Sequence, residues 1–280
     1  MIFQFFLVLL SGCASLSKNT SESESVRELS LPAIIIPKNS QTIMVNYAFQ
    51  KKTENAETFL CDQESQKTVV LHHDEVGWGA NFCQTWIAQL FVQHGFNVIG
   101  SNRSGYGKST GKKDLSGQQS IEAIKSSVKS VLQRLKKPSE IVGSWGFGSG
   151  GIAAGRVAKN FLTQKWIILG NTVYDFEQQI KNQQSKIFTP AILELKKTEG
   201  DSAVENRSLA FESIGIPKKV FLYHSRLNIE VVIDQMSQFA DGLVAQQFQV
   251  KTNAVESDQQ QLSDIDQYNV VKDFVLDLDK

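Results

Sequence analysis

Residues Glu140 to Gly155 read EIVGSWGFGSGGIAAG, and this stretch decides the fold. An apolar and aromatic run from Ile141 to Phe147 is threaded by five glycines within nine residues: Gly143, Gly146, Gly148, Gly150 and Gly151. Ile152-Ala153-Ala154 then opens a helical pattern. The sequence therefore predicts a strand, a tight turn and a helix whose glycines let two backbones approach closely.

Working outward, the same alternation repeats. Upstream, SLPAIIIP and TIMVNYAFQ are β-rich, ETFLCD is a weaker run, and Thr68–Leu71 is a compact apolar strand ending in His72-His73-Asp74. Phe82, Trp86, Leu90 and Phe91 recur at helical spacing, Phe96–Ile99 is the next strand, and Ile121, Ile124, Val128, Val131 and Leu135 mark another helix. Downstream come strands at Lys165–Leu169, Lys219–His224 and Gln247–Lys251, a helix at Ile229–Phe239, and a last helix bearing Ile265, Tyr268, Val271 and Val275. Strands alternating with amphipathic helices imply an α/β domain with a doubly wound, mostly parallel sheet covered on both faces. Residues 175–212 interrupt the alternation with a polar stretch, and no internal repeat is present.

The glycine-rich turn resembles the strand–elbow–helix of the α/β-hydrolase family, in which Gly-x-Ser-x-Gly-Gly presents a nucleophilic serine. Asn102-Arg103-Ser104-Gly105-Tyr106-Gly107-Lys108-Ser109 resembles a second family loop, Asp-Arg-x-Gly-x-Gly-x-Ser, that supports the rim of the site. By this resemblance residues 28–280 are one α/β-hydrolase-fold domain with 175–212 as a small lid-like insertion. The family's triad runs in the order Ser, Asp or Glu, then His. Aligned on Gly146, Gly150 and Gly151, the nucleophile position holds Gly148, the acid position after the strand at 219–224 holds Asn228, and the base position after the last strand holds Glu256. None of the four histidines lies beyond His224. In the oxyanion region, His73-Asp74 replaces the family's His-Gly, and Ser149 follows the elbow. A carboxylate beside a developing oxyanion would repel it. A displaced triad would draw on Ser149 or Ser144 with His224 or His73 and, for the acid, Asp175. The expectation is a degenerate, non-catalytic site whose retained cleft binds a small ligand or a protein partner; the alternative is an active esterase, lipase or peptidase using a displaced serine.

Two rival glycine readings fail on single residues. Gly107-Lys108-Ser109 would close a phosphate-binding loop only with glycine at Asn102, and the dinucleotide fingerprint Gly146-x-Gly148-x-x-Gly151 is followed by Asn171 rather than an acidic residue. No cofactor is therefore expected, and no Cys/His cluster has metal spacing. A net charge of zero without a basic block speaks against nucleic acid as a partner.

At the N-terminus an apolar run of about ten residues, too short to span a bilayer, ends in Leu10-Ser11-Gly12-Cys13. That tetrad resembles the lipobox of bacterial lipoproteins. The resemblance implies a signal peptide at 1–12, diacylation of Cys13, a polar flexible tether over 13–27, and a lipid-anchored location in the bacterial cell envelope. Ala14 slightly favours the outer membrane. Cys61 and Cys83 are then free to form a disulfide or to remain as buried thiols. Mass spectrometry of the mature N-terminus should find an acylated Cys13 with residues 1–12 removed; an intact Met1 or an unmodified cysteine would refute the anchor.

Overall fold

The computed structural model describes residues 30–35, 37–62, 64–75, 81–135, 138–160, 163–210, 215–257 and 261–278. Cys13 and the expected signal peptide and tether lie outside them.

Eight strands build one sheet: β1 (Gln41–Phe49), β2 (Lys52–Cys61), β3 (Lys67–His72), β4 (Asn97–Ser101), β5 (Glu140–Phe147), β6 (Trp166–Gly170), β7 (Lys219–Ser225) and β8 (Gln249–Val255). Their order is β1-β2-β4-β3-β5-β6-β7-β8. The β1–β2 and β2–β4 pairs are antiparallel and every other pair is parallel. The doubly wound, mostly parallel sheet expected from the sequence is thus present. Its inner parallel strands β3, β4 and β6 are buried on both faces, as crossover helices require.

The helices are α1 (Trp86–Gln93), α2 (Gln118–Leu132), α3 (Ser149–Asn160), α4 (Phe176–Ile180), α5 (Phe188–Glu199), α6 (Asp201–Glu205), α7 (Ile233–Ala245) and α8 (Asp264–Leu276). Their starts follow local chemistry. Thr85 accepts from the Ala88 amide to cap α1, Asp175 accepts from Gln178 to cap α4, and Ser263 accepts from Asp266 to cap α8. On one face of the sheet, α1 and α8 close a core around Trp145, Phe82, Phe91 and Phe274. On the other, α2, α3 and α7 pack over Val70, Ile99, Ile167 and Leu222. Within the first core, Trp145 Nε1 donates to Tyr223 Oη (3.1 Å).

Two expectations shift. SLPAIIIP is not a strand: residues 31–35 form a strap outside the sheet, and ladder pairing begins only at Gln41. Pro32 and Pro37 lack the amide hydrogens a strand there would need. The helix expected at 229–239 starts later, at Ile233, because Asn228 Oδ1 accepts from the Glu230 and Val231 amides (2.8 and 3.1 Å) and holds those residues in a turn. The cysteine alternatives resolve to a disulfide, Cys61–Cys83, which joins the end of β2 to the short 3-10 turn Phe82–Gln84 ahead of α1.

Of the segment expected as a lid-like insertion, residues 175–210 are described and contribute α4, α5 and α6 around an apolar cluster of Phe176, Phe188, Ile192 and Val204. Glu230 fastens them to the domain. Its buried carboxylate accepts from Ser185 Oγ (2.8 Å) and from the amides of Lys186 (3.1 Å) and Ile187 (2.9 Å).

Candidate functional site

The site is assembled at the C-terminal ends of β3, β5, β6 and β7, and its centre is the turn from β5 into α3. Backbone contact sets this turn. A Cβ on Gly146 would lie under 3.0 Å from the carbonyl of Gly150, so strand and helix touch main chain to main chain. Gly148 sits at φ +55°, its amide bonded to the Gly170 carbonyl (2.8 Å) and its own carbonyl accepting from Gly151 (3.1 Å). The left-handed backbone and the exposed helix N-terminus of an elbow are therefore built without a side chain at the apex.

The space above Gly148 belongs to Asp74. A Cβ at residue 148 would overlap the Asp74 carboxylate, with Oδ1, Cγ and Oδ2 all closer than 3.0 Å. Asp74 Oδ1 accepts from the Ser149 amide (2.9 Å), from Ser149 Oγ (3.2 Å) and from the Glu75 amide (2.6 Å). The amide that follows the nucleophile position is a principal oxyanion donor in this kind of elbow. Here it is occupied by an anion from the protein itself. Burial raises the Asp74 pKa, opposed by the Ser149 and Glu75 amides and by the Arg103 guanidinium.

Arg103 is the hub beneath. Its side chain is buried, with Nη1 on Ser116 Oγ (2.7 Å) and Nη2 on Ser149 Oγ (2.8 Å), the His73 carbonyl (3.2 Å) and Glu75 Oε2 (3.4 Å). Tyr106 donates its hydroxyl to Glu75 Oε1, and its ring lies 4.9 Å from the Arg103 guanidinium. His73 is locked between two backbone groups. Nε2 accepts from the Arg103 amide (3.0 Å), which leaves Nδ1 to donate to the Asp74 carbonyl (2.8 Å).

The remaining residues singled out from the sequence are not assembled into a relay. Asn228 spends its side-chain oxygen on the turn before α7. Glu256 is exposed and pairs with Arg226 Nε at 2.7 Å. His224 is buried with Nδ1 on the Ser225 carbonyl (2.7 Å), and its Nε2 has no hydrogen-bond partner. Ser144 Oγ is buried and equally unpartnered. Asp175 is the α4 cap. Ser149 Oγ is fully buried, held by Asp74 and Arg103 rather than by an imidazole. Among the described residues, no hydrogen bond joins a histidine to either serine, so neither hydroxyl has an imidazole base, and the Ser149 hydroxyl meets only the Asp74 carboxylate.

The expected retained cleft needs correction. Among the described residues the cavity bounded by Asp74, Gly148, Asn171, Phe188, Asn228 and Glu230 measures about 20 Å³. That is room for about one water, against roughly 300–1,000 Å³ for small-molecule pockets. Asp74 fills it from one side and the Glu230-held insertion from the other. Among the described residues no group of three or more His, Cys, Asp and Glu is arranged to hold a metal ion. The Arg103–Glu75–Tyr106 network went unread in the sequence. Its one signal was a charged residue set between an apolar strand and a glycine-rich loop.

Two predictions follow from the geometry. Gly148→Ala should destabilise the protein by about 3 kcal/mol through overlap with Asp74 and the positive φ, but by only about 1 kcal/mol in an Asp74→Gly background. A urea-unfolding cycle with no coupling between positions 74 and 148 would refute the steric account. The second concerns acid. Burial lowers the pKa of His72 to about 3, that of His224 to about 4, and that of His73 well below the usual imidazole value. The unfolded chain therefore takes up protons first, so stability present above pH 6.5 is lost as pH falls, by about 1.4 kcal/mol per unit per histidine. Asp74, raised in the fold, works in the opposite sense and offsets part of this. Stability measured in urea should fall steeply from pH 6.5 to 4, and His224→Gln should remove roughly a third of the histidine slope.

No known protein-family profile matches the sequence, and neither does any curated protein. Solved structures do match the fold. The chain is similar to an acylaminoacyl peptidase of Pyrococcus horikoshii (TM-score 0.66, 15% identity, 84% of this chain and 41% of that one). It is also similar to a puromycin-hydrolyzing peptidase of Mycobacterium tuberculosis (0.68, 15%, 84% and 37%) and to the esterase Pf2001 of Pyrococcus furiosus (0.62, 16%, 85% and 89%). The chain spans about two fifths of the length of the peptidases and most of the esterase. At these identities the likeness concerns architecture alone: the chain has the α/β-hydrolase fold, with Gly148 at the apex of its elbow.

Proposed function

We propose that this protein is a non-catalytic α/β-hydrolase scaffold, held by a lipid on Cys13 in the bacterial cell envelope, which works by binding a partner rather than by turning over a substrate. The observation that carries the reading is the Asp74 carboxylate over Gly148. It fills the side-chain space of the nucleophile position and takes the hydrogen bond of the Ser149 amide. A substrate carbonyl would have to displace a buried anion from the oxyanion donors and would then meet no nucleophile. The exposed Glu256 and the turn-bound Asn228 support the same reading, since neither is placed to orient or accept a proton. Because the cavity at the elbow is small, a protein partner on the outer surface is favoured over a small ligand inside.

A fluorophosphonate probe should fail to label the protein, and short p-nitrophenyl esters should turn over no faster than in buffer. Gly148→Ser should stay inactive, because the new hydroxyl would still lack a base. Stoichiometric labelling of the wild type that disappears in Ser149→Ala or Ser144→Ala would overturn the proposal and establish a displaced serine.

A further inference from the structure

The strap that precedes β1 carries apolar side chains outward on a fixed mount. Leu31 packs against the aromatic core, and the Ile35 amide donates to Gln89 Oε1 on α1 at 3.2 Å. Gln89 is itself buried and donates to the Cys83 carbonyl (3.1 Å), so the mount reaches the disulfide-linked turn. Between these fixed points Pro32, Ala33, Ile34 and Ile35 are exposed, Ile34 by 47% and Ile35 by 70%. Exposed Lys38 follows Pro37. Single exposed apolar residues are ordinary, but consecutive ones on a hydrogen-bonded strap need an occupant.

The sequence says which occupant. Ser30, where the described chain begins, follows Cys13 by 17 residues. Chain length alone then keeps the strap within about 60 Å of an acylated Cys13. Branched apolar side chains flanked by an exposed lysine suit the headgroup boundary of a bilayer, where the isoleucines bury and the ammonium remains among lipid phosphates. A diacylated Cys13 holds the chain on the bilayer but leaves the domain free to turn on its tether, so a second apolar contact adds orientation. We propose that Ile34 and Ile35 form a lipid-contact strap that seats the α1 side of the domain on the bilayer to which Cys13 is tethered. This rests on the lipid-anchor reading of Cys13. Val244 provides a control, being exposed by 57% on α7, which packs against the opposite face of the sheet.

The test uses the full chain in vesicles of phosphatidylethanolamine and phosphatidylglycerol with brominated acyl chains. Ile35→Cys and Val244→Cys are each labelled with an environment-sensitive thiol fluorophore. The label at 35 should shift to the blue and be quenched by bromine, while the label at 244 should stay exposed to aqueous iodide. Ile34→Ser in the protein labelled at 35 should reverse most of the blue shift and of the bromine quenching, although the diacyl anchor keeps the chain on the vesicle. A label at 35 that stays solvated on vesicles overturns the strap. So does a label at 35 that is shielded without lipid in a species of twice the mass, which would assign the patch to a second copy. The N-terminal mass separates the two readings. An acylated Cys13 with a solvated label at 35 refutes the strap alone. An unmodified Cys13 with a bromine-quenched label at 35 refutes the anchor and keeps the strap.

Discussion

Main-chain contact between β5 and α3 is the constraint on which the rest of the site depends. With Gly146 against the Gly150 carbonyl, nothing larger than hydrogen fits between strand and helix, and the turn must reverse within a few residues. That reversal puts Gly148 in the left-handed region and points the Ser149 amide at the end of β3. An anion is favoured at such a helix N-terminus, and the residue supplied by the end of β3 is Asp74. Burying its charge would be costly alone; three donors and the nearby Arg103 offset that cost. Arg103 in turn gathers Ser116, Ser149, Glu75 and the His73 carbonyl, which ties the loop after β4 to the elbow.

How much of this was legible differs by element. The sheet could be read because its signals are local: apolar runs of strand length, helical periodicity between them, and glycines where backbones must touch. The strap was misread because SLPAIIIP has strand composition, while pairing depends on amides that Pro32 and Pro37 do not have. Gly148, Asn228 and Glu256 were found as substitutions at aligned positions, which identifies what stands there but not what it touches. Asp74 illustrates the difference. Its charge beside the oxyanion region was evident in the sequence, and repulsion of a reaction intermediate was the natural inference. That it enters the space vacated at Gly148 and takes the Ser149 amide follows only from the three-dimensional approach of β3 to the elbow. Arg103 was hidden for a similar reason, since its partners lie 13 to 46 residues away.

The 175–212 segment lies where members of the fold carry covers over their sites, and here its attachment differs from that of a hinged cover. Glu230 grips the Ser185 hydroxyl and two consecutive amides, and Gln179 Nε2 donates back to the Glu230 carbonyl (2.6 Å). Lifting the segment would strand a buried carboxylate and several main-chain donors together. The cluster around Phe188 and Ile192 therefore serves as a wall packed on Ile152 of α3 and on Val173 and Val231, which follow β6 and β7.

Asp74 and Gly148 together also shape the paths by which the sequence can change. A hydroxyl cannot be gained at 148 by one tolerated substitution, because the first atom of any side chain there meets the carboxylate. Removing that carboxylate first uncovers the Ser149 amide and takes one of two nearby carboxylates from Arg103, leaving Glu75. Each single step runs uphill in stability, so the pair acts as a mutational ratchet. Stepwise drift elsewhere in the chain leaves the elbow locked.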